Sequence, residues 1–188
     1  MVMDFSDNWK ILLSLWPAGG YNGGNARKKV RKMELLPLRA EYDAAMARIV
    51  RENLKAHGLD IPGTAYFDES LDHLSRYYAA PGRGYWVLWD GGVAGGAGLA
   101  ETDVLPGFAE LQKLYLRDDA KGRGLGRRLT EHVEAMAREM GYRGLYLETH
   151  TNLTAALALY EKLGYRQIER PEGVVHGTMN RFYMKEWD

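Results

Sequence analysis

The chain has 188 residues, 46% of them hydrophobic and 27% charged, a balance that predicts one globular domain with a sizeable core. Its formal net charge is zero, which argues against nucleic acid or an anionic membrane surface as a partner. It has no cysteine, which excludes disulfides, thiolate metal sites and a cysteine nucleophile.

Residues 1–32 differ in composition from the rest of the chain. They contain a glycine-rich stretch at 19–24 and a basic run at 27–32. Glycine-rich sequence is typical of linkers, so we predict an N-terminal extension over 1–32 that is dispensable for chemistry. An accessory helix is the alternative. The folded domain is predicted to cover 33–188, with Met33 as an alternative start.

No segment of the chain has the pattern of a membrane anchor or a leader. Apolar runs stay well below the roughly 20 residues that span a membrane. The apolar patch at 11–16 is too short for a signal peptide, and Asp4 and Asp7 precede it where positive charge belongs. We therefore expect a cytoplasmic protein.

The first half of the domain is predicted to contain three strands and two helices. In chain order these are a strand at 34–39, a helix at 40–56, a short helix at 70–78, and strands at 85–89 and 93–99. A turn at 90–92, Asp-Gly-Gly, joins the last two strands as a hairpin. Glycines at 95, 96 and 98 weaken the second hairpin strand and suggest close approach of a ligand.

The second half alternates strands and helices. The predicted elements are a strand at 110–116, a helix at 125–140, a strand at 144–148, a helix at 154–163, and strands at 166–169 and 181–185. The long helix has one apolar stripe, formed by Leu125, Leu129, Val133, Met136 and Met140. The complete order, β-α-α-β-β-β-α-β-α-β-β, indicates a mixed α/β fold.

Three glycines, Gly122, Gly124 and Gly126, stand where the long helix is predicted to begin. The first turn of a helix has N–H groups without backbone partners and a partial positive charge. Glycines let an anion approach those groups closely. The sequence therefore predicts a ligand that carries phosphate groups.

Two other nucleotide-binding loops fit this segment less well. A P-loop needs Lys-Ser/Thr after its last glycine, and none follows Gly126. A dinucleotide-binding loop needs Gly-x-Gly-x-x-Gly directly after the strand, whereas five residues separate the predicted strand from Gly122 here. Because Glu148 at the end of the next strand could hold a ribose, a nicotinamide dinucleotide remains the alternative ligand.

At these residues the chain resembles the GCN5-related N-acetyltransferases, the GNAT family, whose loop has the pattern Gln/Arg-x-x-Gly-x-Gly/Ala. The matching segment is Lys121-Gly-Arg-Gly-Leu-Gly126, with lysine in the first place. The segment from Asn152 to Tyr165 is similar to a second family motif, with the asparagine one residue further from the helix tyrosine than is commonest. The resemblance extends from Leu36 to Met184.

The resemblance implies a central, mostly antiparallel sheet that is flanked by helices and splayed between the strands at 110–116 and 144–148. It implies that acetyl-CoA is the cosubstrate and that it enters the splay. The residues assigned to acetyl-CoA in this way are Leu114, Tyr115, Leu116, Lys121, Gly122, Arg123, Gly124, Leu125, Gly126, Arg127 and Asn152.

Acetyl transfer to an amine requires that the amine lose a proton and that the leaving thiolate gain one. Glu110 is the predicted base, directly or through water, and Glu148 is the second candidate. Tyr160, which matches the family's helix tyrosine, is the predicted acid. A salt bridge at Glu110 and simple packing at Tyr160 are the structural alternatives. His150 and His176 lack a second ligand at helical spacing, so they predict no metal site.

We therefore expect an acetyl-CoA-dependent N-acetyltransferase that acts directly on the amine of a small molecule or an amino acid. A non-catalytic CoA-binding or regulatory domain is the alternative from another functional class. The acceptor is expected to contact residues 62–78, the strand around Gly95–Gly98 and the loop at 170–180. The sequence does not identify the acceptor, and it leaves open whether the protein is a monomer or a homodimer.

Overall fold

The computed structural model describes residues 33–174 and 177–187. The predicted N-terminal extension and His176 lie outside these residues. Within them, seven strands form one sheet: β1 Glu34–Pro37, β2 Gly84–Trp89, β3 Val93–Glu101, β4 Phe108–Leu116, β5 Gly144–Thr149, β6 Arg166–Ile168 and β7 Arg181–Glu186. Their order across the sheet is β1-β2-β3-β4-β5-β7-β6.

The described part of the chain also contains four α-helices: α1 Ala40–Ala56, α2 Leu74–Tyr77, α3 Leu125–Glu139 and α4 Thr154–Lys162. Single turns of 3-10 helix lie at Ala65–Phe67, Glu69–His73 and Asp118–Ala120. None of the helices in 33–174 and 177–187 is long and apolar enough to cross a membrane. The predicted order of strands and helices and the mixed α/β class are confirmed.

The sheet is antiparallel except where β4 meets β5. These two parallel strands pair only over their first residues, Phe108 with Gly144, Ala109 with Leu145, and Glu110 with Tyr146. Beyond that point β4 runs on to Leu116 and β5 to Thr149 without pairing to each other. The sheet is therefore splayed between the two strands that the resemblance indicated.

The side-chain alternation of the strands produces a core on each face of the sheet. On β2, Trp86 and Leu88 belong to the cluster that α3 and α4 cover, whereas Tyr85 and Val87 belong to the cluster that α1 covers. A period of two residues places neighbouring side chains on opposite faces, so a strand buried on both faces is apolar throughout. The splay between β4 and β5 thus lies between two packed layers of helices.

Two details of the predicted elements are wrong. The first strand ends at Pro37, and Arg39 is the extended residue that caps α1. In α3 the buried stripe includes Ala137, while Met140 is 37% exposed and follows the last helical residue. At about 100° per residue Met140 lies in the same direction as Leu129 and Val133, so its exposure follows from its position beyond the last helical residue and not from the period of the stripe.

Candidate active site

The opening between β4 and β5 forms a cleft of about 420 Å³. Its walls come from β4, from the start of α3, from α4, from the end of α1, and from the loop at 63–68. Eleven of the thirteen predicted site residues line it, namely Glu110, Leu114, Tyr115, Leu116, Lys121, Gly122, Gly124, Leu125, Gly126, Arg127 and Tyr160. Arg123 and Asn152 do not.

The glycine loop is open toward the cleft at Gly122 and Gly124. Both have left-handed backbones, with φ of 72° and 74°, which glycine adopts without steric cost. A Cβ added at either position would meet no protein atom within 4 Å. Gly124 caps α3, whose first turn has no side-chain cap and no acidic residue. The N–H groups of that turn are thus available to an anion.

Gly126 has a different structural role. A Cβ at this position would lie 3.2 Å from Cδ2 of Leu159 on α4. The glycine therefore allows α3 and α4 to approach closely beside the cleft. Three glycines that look equivalent in the sequence thus divide into two that face open space and one that packs a helix.

The basic side chains around the loop are held by acidic neighbours. Lys121 Nζ lies 2.6 Å from Asp118, and Arg127 Nε lies 2.7 Å from Glu131. Arg123 is exposed. Lys121 and Arg127 are already paired with acidic side chains, and exposed charges are weakened by water. The backbone N–H groups are therefore the main feature that this end of the cleft offers to an anion.

The side of the cleft is closed by a connection that the sequence did not reveal. Asn53 on α1 donates from Nδ2 to the carbonyl oxygen of Leu116, at 2.9 Å, and so fixes the helix to the end of β4. Asn152 donates from Nδ2 to the carbonyl oxygen of His57, at 2.9 Å. The predicted ligand residue Asn152 therefore contacts the end of α1, and its place in acetyl-CoA binding stays a prediction.

Glu110 lies at the point where β4 and β5 separate. Its Oε2 accepts a hydrogen bond of 2.8 Å from Nε2 of Gln112. Gln112 in turn accepts one of 2.9 Å at Oε1 from the hydroxyl of Tyr78. The second candidate base, Glu148, also lines the cleft and accepts a hydrogen bond of 3.2 Å from the hydroxyl of Tyr146. Two carboxylates therefore line the same part of the cleft.

Tyr160 is the one residue of α4 that is buried, with 6% of its surface exposed. Burial raises the pKa of its phenol above the ordinary value, and the nearby Tyr115 adds to the rise. The phenol therefore keeps its proton at neutral and mildly alkaline pH. A protonated phenol that lines the cleft can donate a hydrogen bond or a proton to a group bound there.

Thr64, Asp68, Gln112, Lys113 and Met179 also line the cleft. Residues of the segments 62–78 and 170–180, which are predicted to contact the acceptor, thus line the cleft, and their contact with the acceptor stays a prediction. The glycines of β3 do not line the cleft. Their Cβ positions are taken by Tyr85, by Tyr78 and by backbone of β2 and β4, so the expectation that they mark a ligand is wrong.

Among residues 33–174 and 177–187, no group of three or more histidine or acidic side chains could hold a metal ion. His150 instead accepts a hydrogen bond at Nδ1 from the backbone N–H of Asn152, at 3.1 Å. This contact stabilises the turn between β5 and α4.

The splayed sheet and the glycine loop have the architecture that the resemblance to the GNAT family implies. Residues 46–165 match the family model described as the acetyltransferase (GNAT) family. An uncharacterized N-acetyltransferase of Escherichia coli (strain K12), YjgM, is 38% identical over 139 residues, which covers 70% of this chain and 81% of that protein.

Solved structures have the same fold. A GNAT acetyltransferase from Staphylococcus aureus superposes with a TM-score of 0.74 at 20% identity, covering 82% of this chain and 99% of that one. An acetyltransferase from Salmonella typhimurium, solved with its cofactor acetyl-CoA, gives a TM-score of 0.64 at 20% identity over 84% and 95% of the two chains. The chain belongs to the GNAT family of acetyltransferases, and the prediction that it is an acyltransferase is confirmed.

Proposed function

We propose that this protein transfers an acetyl group from acetyl-CoA directly to the amine of a small molecule or an amino acid. The observation that carries the proposal is the cleft itself. It connects the open glycine loop to Glu110 and Tyr160, with the exposed backbone edge of β4 between them. One continuous site therefore offers anion-binding N–H groups at one end and groups that move protons at the other.

The residues present fit acetyl-CoA. Gly122 and Gly124 leave space where side chains would otherwise stand, and the first turn of α3 directs N–H groups at that space. These groups would hold the pyrophosphate. Leu114, Tyr115 and Leu116 would hold the pantetheine arm through backbone groups that β5 no longer pairs. Bound there, acetyl-CoA supplies an acetyl thioester as the electrophile.

Proton transfer falls to Glu110 and Tyr160. Glu110 takes the proton that the attacking amine loses, directly or through water, and the hydrogen bond from Gln112 orients its carboxylate. Tyr160 gives a hydrogen bond or a proton to the sulfur as it leaves. The carboxylates of Glu110 and Glu148 also attract an acceptor that arrives as an ammonium ion. Glu148 is the alternative base.

A thiol-release screen tests the function. The purified protein is incubated with acetyl-CoA and a panel of amino acids, polyamines, aminoglycosides and peptides with unblocked N-termini, and the CoA thiol is measured. We expect release with at least one small amine or amino acid and a parallel gain of an acetyl group in its mass. Release only with peptides would reject the proposed acceptor class.

The base is tested on the acceptor that the screen finds. Glu110→Gln keeps the shape of the side chain and removes its basicity, so kcat should fall by about 100-fold or more. Glu148→Gln is the matched variant on the neighbouring strand. A larger loss in Glu148→Gln than in Glu110→Gln would exchange the two roles.

A further inference from the structure

β4 has an extra residue where it passes the glycines of β3. Gly98 pairs with Gln112 and Gly96 with Tyr115, so two residues of β4, 113 and 114, stand opposite the single residue Ala97. This is a β-bulge, which bends a strand and redirects its peptide groups. Leu114, at the bulge, lines the cleft.

The bulge is strained at Lys113. Among the described residues it is the one non-glycine residue with a positive φ, of 50°. A residue with a Cβ adopts this conformation at a cost in free energy, and it persists only where the surroundings hold it. The contacts of Lys113 should therefore show what holds it.

The first contact is made by Tyr85, whose hydroxyl donates to the carbonyl oxygen of Lys113 at 2.8 Å. Tyr85 stands on β2, so its ring must cross β3 to reach β4. It does so over Gly96 and Gly98, where an added Cβ would lie 2.5 Å from ring atoms of Tyr85. These glycines therefore make room for the tyrosine. Burial raises the pKa of Tyr85 well above the ordinary value, so the hydroxyl remains a donor.

The second contact is an ion pair. Lys113 Nζ lies 2.8 Å from Oδ2 of Asp68, and the two side chains are 11% and 26% exposed. The same ammonium group lies 5.9 Å from the centre of the Tyr77 ring. Because the pair is largely shielded from water, it stabilises the bulge more than a surface pair would. It also ties the bulge to the loop at 63–68, which lines the cleft.

We propose that Tyr85, Lys113 and Asp68 are positioning residues that hold the bulge so that the N–H of Leu114 points into the cleft. A peptide group is planar and trans, so the N–H of Leu114 points opposite to the Lys113 carbonyl that Tyr85 binds. Tyr85 approaches from the side of β3, and the opposite side of β4 is the splay. The resemblance to the GNAT family implies that a backbone N–H of this strand donates to the thioester oxygen, where negative charge develops during acetyl transfer, and these three side chains would fix that N–H in place.

This inference rests on the proposed function, because it needs an acetyl group in the splay. Tyr85→Phe tests it, since the phenylalanine ring still fills the space over Gly96 and Gly98 and only the hydroxyl is lost. Removal of an oxyanion donor lowers kcat by about 100- to 1000-fold, so a donor that is no longer held should lower it by at least about tenfold. The KM for acetyl-CoA should stay within about twofold, because the loop at Gly122 is untouched.

Tyr183→Phe is the matched control. Tyr183 is also a buried tyrosine, its hydroxyl also donates a hydrogen bond, to Glu161, and it does not line the cleft. It should leave kcat within about twofold of the wild type. A fall in unfolding temperature without a fall in kcat for Tyr85→Phe would overturn the proposal and leave Tyr85 with a structural role alone.

Two substitutions at Lys113 separate the effect of the strained backbone from the effect of the ion pair. They remain informative if Tyr85→Phe does not fold. Lys113→Ala and Lys113→Gly both remove the ion pair, but only glycine removes the cost of the positive φ. The proposal therefore expects glycine to retain clearly more kcat than alanine. Equal kcat in the two variants would contradict it. Asp68→Ala should add little to the loss in Lys113→Ala, because both break one pair.

A spectroscopic measurement follows the bulge without turnover. In protein labelled with ¹⁵N-leucine, the amide signal of Leu114 is assigned by its absence in Leu114→Ile and followed as acetyl-CoA is added. It should shift in the wild type and shift clearly less in Tyr85→Phe. No acceptor is needed, so this result stands even if the thiol-release screen finds none. An equal shift in both proteins would overturn the proposal.

Discussion

Single residues of the glycine loop differ in what they contribute to the site. Gly122 and Gly124 combine a positive φ with open space, whereas Gly126 packs against Leu159. A positive φ together with open space, as at Gly122 and Gly124, is what we expect where a ligand and not the protein fills the volume next to the backbone. The predictions at this scale therefore concern Gly124 in the loop and Tyr160 on α4, which also lines the cleft.

Gly124→Glu should weaken the binding of acetyl-CoA. The carboxylate would stand beside the anion-binding turn and repel the pyrophosphate. We expect Kd, measured by calorimetry, to rise at least about tenfold, which corresponds to about 1.4 kcal/mol. Gly141→Glu is the control, because Gly141 has a similar φ of 84° and equally open space just beyond the other end of α3. Equal Kd values in the two folded variants would remove the pyrophosphate from this loop.

Tyr160→Phe should slow the chemical step. The ring and its packing stay, and the proton donor is lost, so kcat should fall by at least about tenfold while acetyl-CoA binding is retained. Tyr165→Phe is the control, because this buried ring lies 5.7 Å from that of Tyr160 and does not line the cleft. The measurement is steady-state kinetics with a pre-steady-state check that chemistry is rate-limiting. A kcat near the wild-type value would assign proton delivery to water.

At the scale of elements, the glycines of β3 let a side chain of β2 reach β4 and hydrogen-bond to it. Gly96 and Gly98 have no Cβ, and the ring of Tyr85 occupies the space that the two Cβ atoms would fill. The glycines lower the intrinsic strand propensity of β3, but the packing of Tyr85 requires them. The low β-propensity of glycine is outweighed by close contacts on both sides.

Gly96→Ala should therefore disturb both stability and activity. Its Cβ would lie 2.5 Å from the Tyr85 ring and 2.7 Å from the carbonyl oxygen of Trp86. Overpacking of this kind costs about 1–3 kcal/mol, measurable by urea denaturation. Because Tyr85 must move, kcat should fall as well.

Gly92→Ala, in the turn of the same hairpin, is the control for Gly96→Ala. Its Cβ would meet only Nη1 of Arg117, at 3.8 Å, so this variant should lose neither stability nor kcat. A Gly96→Ala protein as stable and active as Gly92→Ala would show that Tyr85 does not depend on the space over β3.

The sequence predicted the elements well because apolar periodicity and glycine turns are local signals. The helix at 40–56 matches α1 at both ends, and the hairpin turn lies where Asp-Gly-Gly placed it. Contacts distant in sequence were not predictable in this way. The hydrogen bonds from Asn53 to Leu116 and from Asn152 to His57 span 63 and 95 residues, and no local pattern marks them.

The bulge at Lys113 shows the same limit within a strand. Two adjacent polar residues, Gln112 and Lys113, interrupt the apolar and polar alternation of β4, but lysine gives no sign of a positive φ. The conformation depends on Tyr85 and Asp68, which lie on other elements. Only the glycines of β3 signalled that something lay close to that strand, and the sequence could not distinguish a tyrosine ring from a ligand.

At the scale of the whole molecule, the face of the sheet away from α1 carries a partly buried histidine. His132 on α3 lies edge-on to Trp86, with ring centres 4.9 Å apart, and its Nε2 is buried without a hydrogen-bond partner among the described residues. Burial, with a smaller contribution from Arg128, lowers its pKa to about 4. The folded protein therefore holds this imidazole in its neutral form.

The pH dependence of stability is a consequence of that lowered pKa. The unfolded chain binds a proton at His132 below about pH 6.5, and the folded chain resists it until about pH 4. The neutral His132 therefore leaves the free energy of unfolding at its full value above about pH 6.5, and this free energy falls as the pH drops from there toward about pH 4. One pKa unit is about 1.4 kcal/mol, so the loss by about pH 4 is on the order of 3 kcal/mol.

His132→Gln removes the titrating group from this site. Its unfolding free energy, measured by urea denaturation between about pH 7 and about pH 4, should therefore fall less steeply than that of the wild type. His73→Gln, at an exposed position, should follow the wild type. Parallel curves for His132→Gln and wild type would exclude His132 as the source of acid sensitivity.

Residues 1–32 lie outside the described part of the chain and precede the region that matches the family. We propose that they are dispensable for chemistry. A protein that begins at Met33 should therefore have a kcat and a KM for acetyl-CoA within about twofold of the full chain. Circular dichroism and thermal unfolding would verify that it folds. A folded but inactive short protein would assign the segment to the active site or to an active oligomer.

The separation of β4 from β5 also bears on aggregation. Beyond Glu110 and Tyr146 each strand has an edge whose N–H and C=O groups are not used by the other. Such edges on a protein surface are templates for pairing with a second chain. Here they face a cleft that is also lined by α1, α3 and α4, so a narrow ligand can reach them while a strand with side chains on both faces is obstructed. The fold thus shields these backbone groups from pairing with other molecules of the same protein.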